Sequence, residues 1–537
     1  MTWHADDPQG NEADKVKYDV VQFLRGAVLD LGCGPKKVFP HALGVDNCVD
    51  TALFGIAIQP DVQVPDCTDL SDAVNDASVD AIFSSHLLEH IEDTQAALTD
   101  WWRCLKVGGY LVLYLPHKDL YPNVGTPGAN PDHKHDFVPE DILACMATIT
   151  GGAFDVRVNE VRSQAFEYSF LLVIEKLSGE GLGPHWATRP KPAKTACISR
   201  FGGFGDMLQM ANLLPELKRQ GYHVTINTTP QGQSIIQHDP HVDDWLIVDP
   251  DQVPNHELPE FWAALGRRFT KFIQLSESIE GTLLAIPGRA NHAWPHAVRT
   301  VELNRNYLEW TAQLAELPYL SEARFYPTDD EVGQANDLLR AQVQHRTLLK
   351  HGGPTLIGVA SEPVFSIVWA LAGSSMHKFM PHQDAVIARV MLEMPEAVVL
   401  FTGDQACQLL ERGWESEARV VGLSGKQGIR DTLALAQLAD CVVGPETGVL
   451  NAVAFEPDVA KVVFLSHSSH ENLTKHWLNT QALAPVGQHC YPCHQLHHGS
   501  RFCDEDAATG AAMCQVRITP DRIYDAIARA YAAWQER

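Results

Sequence analysis

Apolar runs of strand length recur along the chain, and the stretches between them carry apolar residues at helical spacing. From residue 27 to about 177 the runs are AVLDLG, ALGVD, VDAIFSS, GYLVLYLP and FLLVIEKL. Strands alternating with helical stretches predict an α/β sheet, parallel in the main. The polar, proline-bearing stretch SGEGLGPHWATRPKPAKT, residues 178–195, breaks the pattern and reads as a linker. The alternation restarts at ACISRFGGFGD and continues through HVTINTT, WLIVDP and KFIQLS. A third set begins near residue 355 with TLIGVA, followed by SIVWALAG, AVVLFTG, CVVGPETG and KVVFLS. Between the second and third sets, residues 321–352 are polar and helical in flavour, which suits a hinge. The final ITPDRIYDAIARAYAAWQER predicts a terminal amphipathic helix. No short-period repeat is present. The pattern therefore predicts an α/β protein of three Rossmann-like units in series: residues 1–177, a linker at 178–195, 196–350 and 351–537.

Bulk properties narrow the classes. A chain of 537 residues is too long for one ordinary domain. Hydrophobic residues at 45% and charged residues at 20% are ordinary for a globular protein. No window approaches the roughly 18 unbroken apolar residues of a membrane helix. The opening MTWHADDPQGNEADKVKYD has no apolar core, so no secretory signal is expected. A net charge of −26 argues against a broad phosphate-binding surface for duplex nucleic acid, while leaving room for a small basic groove. Most of the 12 cysteines stand singly in apolar or loop sequence, as buried thiols of a reducing, cytoplasmic setting would.

The chemistry of the first module begins at Val28-Leu29-Asp30-Leu31-Gly32-Cys33-Gly34, an apolar strand entering a glycine-rich turn. Such a turn lets backbone approach a ligand, or simply joins a strand to a helix. A second strand ends in Gly44-Val45-Asp46, a carboxylate placed for ribose hydroxyls, and Asp66 follows a third short strand, placed for an adenine amino group. With SVDAIFSSHLLEHIED and RCLKVGGYLVLYLP behind it, this ordered set resembles class I S-adenosylmethionine-dependent methyltransferases of the type 11 kind. The resemblance implies that Asp30, Gly32 and Gly34 line the methionine part of the cofactor. It gives Asp46 the ribose and Asp66 the adenine. Glu89 and His90 match the family's LEH block, which reads as either a structural helix start or a catalytic element. The stretch between Gly34 and Asp46 departs from the family, with room for little more than one helical turn plus Pro40. His133 and His135 in NPDHKHDF offer an imidazole base for an acceptor hydroxyl, or else are loop histidines with structural hydrogen bonds.

In the second module, Ile198-Ser199-Arg200-Phe201-Gly202-Gly203-Phe204-Gly205-Asp206 again runs a strand into a glycine-rich turn, and the helix DMLQMANLLPELKRQ is expected directly after it. Asp206 reads as an N-cap from this segment alone. In a cleft between lobes it would also serve as general base for a sugar hydroxyl. Farther on, SIVWALAGSSMHKFMP places Ser374, Ser375 and Lys378 after a buried strand, and Glu446-Thr447-Gly448 lies between a strand and a helix. Backbone N–H groups at a helix start with a lysine nearby can bind a diphosphate leaving group, with no metal required. These segments resemble glycosyltransferase family 9, the heptosyltransferase-type enzymes of GT-B fold, through G-x-x-G-D, G-S/A before K-x-W-P, and D-S-G-x-x-H blocks. The resemblance implies a two-lobed nucleotide-sugar glycosyltransferase with Asp206 as catalytic base of an inverting transfer. Ser374, Ser375, Lys378, Thr447 and Gly448 would bind the donor phosphates, and Asp404 would approach the nucleotide ribose. ADP-heptose is the family's default donor. The departures are Phe379-Met380 in place of x-W, Glu446 for Asp and Asn451 for His. Glu446 and Asn451 remain in the expected donor-binding set, since Asn451 can hydrogen-bond a phosphate or sugar without carrying charge. SHSSHENLTKHW, residues 466–477, is expected to edge the same cleft.

Cys490, Cys493, Cys503 and Cys514 cluster near the end, with His494, His497 and His498 as alternative donors. A C-x-x-C with two further cysteines fits a four-thiolate structural zinc site; two disulfides or unligated thiols are the other readings. The whole chain thus reads as a bifunctional enzyme that transfers a sugar to a glycan or small-molecule acceptor, such as lipopolysaccharide core, and methylates that sugar or a neighbouring group. Two other readings stand beside it: modification of a nucleic-acid base, and one module reduced to a binding or scaffolding domain.

Overall fold

The computed structural model describes residues 12–49, 57–164, 166–178, 192–320, 324–351, 363–373, 375–496 and 503–537. The strand candidate TLIGVA, most of the 178–195 linker, Ser374, His497 and His498 lie outside the described residues. The chain forms two compact units, Met1–Ala193 with Ile247–Phe269, and Lys194–Leu246 with Thr270–Arg537. Among the described residues, no helix is long and apolar enough to cross a membrane.

The first unit is built on a seven-stranded sheet. Its strands are β1 (Val28–Leu31), β2 (Leu43–Asp46), β3 (Val62–Gln63), β4 (Val79–Ser85), β5 (Leu105–Pro116), β6 (Phe154–Arg162) and β7 (Ser169–Lys176), in the order β3-β2-β1-β4-β5-β7-β6. The run VLDL of β1 is buried throughout, as a central parallel strand requires. The helix Thr94–Cys104 covers one face: Asp93 accepts from the Ala96 N–H at its start, and Ala97, Leu98 and Trp101 fall on its buried stripe. The sheet is parallel in the main, as expected, with β5–β7 and β6–β7 antiparallel at one edge. The edge strand β6 (FDVRVNEVR), half-exposed and without an apolar run, is not among the strands expected. Between Gly34 and β2 there are only turns, and no helical turn forms.

Ile247–Phe269 lies within the sequence range read as the second module's first lobe, yet it packs in the first unit. Glu257 takes an ion pair from Lys17 at 2.5 Å and a hydrogen bond from the Tyr18 hydroxyl at 3.1 Å. Gln252 donates to the carbonyls of Val21 and Leu24 at 2.6 and 2.8 Å, at the end of a short 3-10 helix.

The second unit holds two sheets. One has the order β10-β9-β8-β11, with β8 Thr195–Ser199, β9 His223–Thr228, β10 Asp244–Ile247 and β11 Lys271–Gln274. The other has the order β14-β13-β12-β15-β16-β17 and is parallel throughout: β12 Phe365–Ala370, β13 Ala397–Thr402, β14 Val420–Gly422, β15 Cys441–Pro445, β16 Ala460–Phe464 and β17 Thr480–Leu483. The helix expected after Asp206 is broken into Phe204–Met210, a 3-10 turn at Ala211–Leu213 and Leu214–Arg219. Pro215 stands at the start of the last piece, where its missing N–H costs nothing. The terminal helix Pro520–Gln535 forms as its periodicity predicts and buries Ile523, Ile527 and Tyr531.

All three sheets share one topological rule. Each strand order reverses beside the first strand of its sheet: between β1 and β4, between β8 and β11, and between β12 and β15. Open parallel sheets bind ligands in the crevice beyond the carboxyl ends of the strands at such a switch point.

Candidate functional site

At the first switch point, the turn after β1 is made by Gly32 and Gly34, with φ of +68° and +58°, a region that favours glycine. The Gly32 N–H donates to Val45 O at 2.8 Å, tying the turn to β2. Asp46, at the end of β2, accepts from the Gly34 N–H at 3.0 Å and the Cys48 N–H at 2.7 Å. Asp30 is buried inside the turn and accepts from the Val38 N–H at 2.6 Å. Burial pushes its carboxyl up to about 7, despite that hydrogen bond. The structure therefore brings Asp30, Gly32, Gly34 and Asp46 together. Asp66 is exposed and closes its own turn by accepting from the Thr68 N–H at 2.8 Å.

Beyond β4, the 3-10 helix Leu88–His90 carries Glu89 and His90. Glu89 is buried, and burial raises its carboxyl to about 8. His133 is buried beside it, while His135 is separated from the pair and bonds the Glu92 carbonyl through Nε2 at 3.0 Å. The two histidines paired in sequence thus have different surroundings.

In the second unit, the carboxyl ends of both sheets face a cleft of about 580 Å³. From the first sheet come Gly203, Phe204, Gly205, Asp206 and Glu280; from the second, Gly373, Lys378, Asp404, Glu446, Thr447, Gly448 and Asn451. The N-cap of the helix Phe204–Met210 is Gly203, and Asp206 is its third residue, so the reading of Asp206 as N-cap is corrected. Its Oδ2 reaches back to the Gly203 N–H at 2.7 Å. Its Oδ1 meets the Arg200 guanidinium at 2.8 Å, and Arg200 also holds Glu280 at 2.6 Å. Arg200 and Glu280 were not singled out in the sequence, because nothing in ISRFGG marks a buried arginine with partners 6 and 80 residues away.

Lys378 is buried, burial lowers its affinity for a proton, and its Nζ donates to the Glu446 carbonyl at 2.7 Å. The Glu446 carboxylate turns away from that lysine, accepting from the Ser466 N–H at 2.6 Å and meeting His467 Nδ1 at 2.8 Å. Burial alone would raise its carboxyl, but His467 and Lys378 override it and hold it well below the usual carboxylate range. Thr447 stands at the N-cap position of the helix Gly448–Ala452, and its buried Oγ1 has no hydrogen-bond partner among the described residues. Gly205 and Gly448 are where the two lobes touch. A Cβ on Gly448 would lie 2.8 Å from Phe204 Cβ, and one on Gly205 would lie 2.9 Å from Asn451 Nδ2. Asn451 lines the cleft, accepting from Gln209 across this junction at 3.1 Å and donating to Thr447 O at the start of its own helix at 2.9 Å. Ser375 bonds His377 Nδ1 at 2.7 Å. Asp404 caps the 3-10 helix Gln405–Leu409 through the Cys407 N–H at 3.0 Å. From the 466–477 stretch, His467, Ser468 and Leu473 reach the cleft.

Cys490, Cys493, Cys503 and Cys514 are half-buried and are not joined in disulfides. Cys493 is raised to about 12 and Cys503 to about 11, by burial first and then by neighbouring thiols of the same set. Cys514 is raised likewise, by burial and then by Cys503 and Cys493. Among the described residues, however, the three or more candidate ligand atoms that lie within 4.8 Å of one another are those of Glu89, His90 and His133, and these sulfurs do not form such a group. His494 is fully buried with both ring nitrogens unpartnered, and its charged neighbours are His467 and Glu446 rather than the thiols.

Similar solved structures include ADP-heptose LPS heptosyltransferase II of E. coli, 13% identical over 64% of this chain and 99% of that one, at TM-score 0.40. A glycosyl transferase family 9 protein of Veillonella parvula is 13% identical over 63% and 98%, at TM-score 0.42. An S-adenosylmethionine-dependent methyltransferase of Mesorhizobium loti is 15% identical over 31% and 99%, at TM-score 0.25. No curated protein matches the chain. Residues 29–113, which run from β1 into β5 and include the glycine turn and the Leu88–His90 segment, match the family model of a methyltransferase domain.

Proposed function

We propose that the chain is a two-site transferase. Its first unit transfers a methyl group from S-adenosylmethionine, and its second transfers a sugar from a nucleotide-sugar donor with inversion and without a catalytic metal. The observation that carries the second half is the cleft itself, where Asp206 from one sheet faces Lys378 and Thr447 from the other. In this reading Asp206 takes the proton of an acceptor hydroxyl as that oxygen attacks the anomeric carbon. Lys378 and the N–H groups after Thr447 receive the negative charge of the departing diphosphate. Arg200 and the Gly203 N–H fix the direction of the Asp206 carboxylate.

The donor is read as an ADP-sugar of heptose type, and the acceptor as a glycan or related small molecule, with methylation of that sugar or a neighbouring group. In the first unit the turn of Gly32 and Gly34, with Asp30 and Asp46 around it, would hold the methionine and ribose of the cofactor, and Asp66 the adenine. The four thiols form a donor set suited to a structural zinc ion, which would order the segment carrying them. Both small-molecule donors are cytoplasmic metabolites, and the cytoplasm is the setting this reading requires.

Thermal unfolding with S-adenosylhomocysteine, ADP, UDP, GDP and CMP in turn tests the pair of sites. A ligand at about a hundred times its Kd stabilises the domain that binds it by roughly 2.7 kcal/mol. A shift with S-adenosylhomocysteine and with one nucleotide is the expected result; a shift with neither leaves a scaffold. Asp206→Asn should then lower sugar transfer by roughly 10²–10⁴-fold with nucleotide binding retained. Transfer at full rate in that variant would remove Asp206 from the role.

A further inference from the structure

Glu89 is 1% exposed, and among the described residues none donates a hydrogen bond to either of its carboxylate oxygens. A buried polar group left unsatisfied costs roughly 1–3 kcal/mol, more when charged, so its retention calls for a partner. What faces Glu89 is imidazole. His133 Nε2 stands 3.9 Å from Oε1 and His86 Nδ1 3.7 Å from the same atom. The rings of His90 and His133 meet edge to face at 4.7 Å. One ligand atom from each of Glu89, His90 and His133 lies within 4.8 Å of the other two. His86 is held to one side, with Nε2 3.0 Å from Ser169 Oγ.

Backbone sets this arrangement. Glu89 and His90 occupy the 3-10 helix directly after β4, while His133 comes from the long connection that follows β5. The N–H groups of Lys134 and His135 both donate to the Glu89 carbonyl, at 2.8 and 3.3 Å, and so pin the two segments together next to the three side chains. On the far side, Tyr121 lies against the His133 ring at 5.3 Å. The segment adjoins the glycine turn of β1, since a Cβ on Gly32 would lie 3.1 Å from Leu87 Cδ1.

We propose that Glu89, His90 and His133 hold a divalent transition-metal ion of the zinc or iron class, with its remaining positions open. Two imidazoles and one carboxylate are a donor set for such ions and not for calcium or magnesium, which take oxygen cages. Bonds of about 2.0–2.2 Å require only that the three side chains close inward on a common point. If the methyl-transfer reading above is right, on which this part rests, an open position takes a hydroxyl oxygen of the methyl acceptor. Bound there, the hydroxyl gives its proton to water, and its oxygen bonds to the methyl carbon as the carbon–sulfur bond of the sulfonium breaks. The products are a methyl ether and S-adenosylhomocysteine.

Cobalt(II) titration of the full-length protein tests the site apart from activity. Two imidazoles and a carboxylate give d–d absorption without thiolate-to-cobalt charge transfer, which separates this ion from any held by the cysteines. The expected result is one saturable, thiolate-free equivalent, with X-ray absorption at the cobalt edge showing imidazole and oxygen scattering and no sulfur. His133→Ala and Glu89→Gln should each abolish that equivalent while S-adenosylhomocysteine still binds. The wild-type protein decides the matter even if the variants fold poorly: no thiolate-free cobalt overturns the proposal, as does a band that both variants keep. Cobalt binding without S-adenosylhomocysteine binding would leave the metal site standing and remove the methyl-transfer reading.

Discussion

Arg200 Nη2 lies 2.8 Å from Asp206 Oδ1, and through its other terminal nitrogen the same guanidinium holds Glu280 at 2.6 Å. Arg200 follows β8 and Glu280 follows β11, the two strands that flank the switch point of their sheet. One buried cation therefore ties both walls of this end of the cleft to the carboxylate at its mouth. Its Nη1 also donates to the Leu275 carbonyl at 3.3 Å, so the group is over-determined in position.

Arg200→Met should destabilise the second unit by about 3–5 kcal/mol, because Glu280 is left buried without its counter-charge. Arg200→Lys should recover only part of this, since an ammonium cannot address Asp206 and Glu280 with a planar fork. Urea unfolding followed by a probe in the second unit measures both. A Met variant as stable as wild type would show that the pair is not buried in solution.

Lys378→Met keeps the length of the side chain and removes its charge. The expected loss in affinity for a nucleoside diphosphate is about 10–100-fold, the range for charge-assisted hydrogen bonds worth roughly 1.5–3 kcal/mol. Calorimetric titration with ADP and with adenosine separates the terms: adenosine binding should be nearly unchanged. Equal losses for both ligands would place Lys378 outside the phosphate site.

The lobe junction predicts a contrast among glycines. Gly448→Ala forces a Cβ to 2.8 Å from Phe204 Cβ and should cost about 1–3 kcal/mol by overpacking. Gly333→Ala, in the helix Asp329–His351 with nothing within 4 Å of the new Cβ, should be neutral or stabilise by up to about 1 kcal/mol. Thermal unfolding of the two variants reads the difference, and equal effects would contradict the close approach.

Asp30 sets a pH dependence in the first unit. Its carboxyl is raised by burial from 3.8 to about 7, so the folded state holds a proton that the unfolded state releases. Stability from this group is complete below about pH 4 and is lost as pH rises toward 7, at up to about 1.4 kcal/mol per pH unit. Asp30→Asn keeps an acceptor for the Val38 N–H and removes the ionisation. The stability difference between wild type and variant should therefore shift in the variant's favour between pH 4 and 7. A difference independent of pH would mean that Asp30 is not buried in solution.

Much of the architecture was legible from local pattern. Runs such as AVVLF of β13 are apolar at every position because both faces of a parallel strand are covered, so strands were recognisable wherever this held. Edge elements were not: β6 alternates charge with valine, and β14 and β17 are too short to stand out. The glycine turns at Gly32 and Gly203 announced two crevices, and the Glu446-Thr447-Gly448 segment announced the opposite wall of the second.

What the chain's order of residues could not contain is partnership across distance. Asp206, Gly448 and Lys378 were each visible as residue types after a strand; that they share one cleft follows from the approach of two helices at Gly205 and Gly448. Arg200 looked like any arginine until burial required two counter-charges for it. Asn451 looked available to a ligand until Gln209 of the other lobe took its amide oxygen and the Thr447 carbonyl of its own helix took an amide N–H. His133 and His135, adjacent in composition and spacing, were divided by the backbone, one turned inward to Glu89 and the other to the Glu92 carbonyl. Periodicity and turn chemistry act over a few residues and are written in the sequence. Which polar groups lose water together is decided only when distant segments pack, and that loss of water is what makes a pair, a cap or a site.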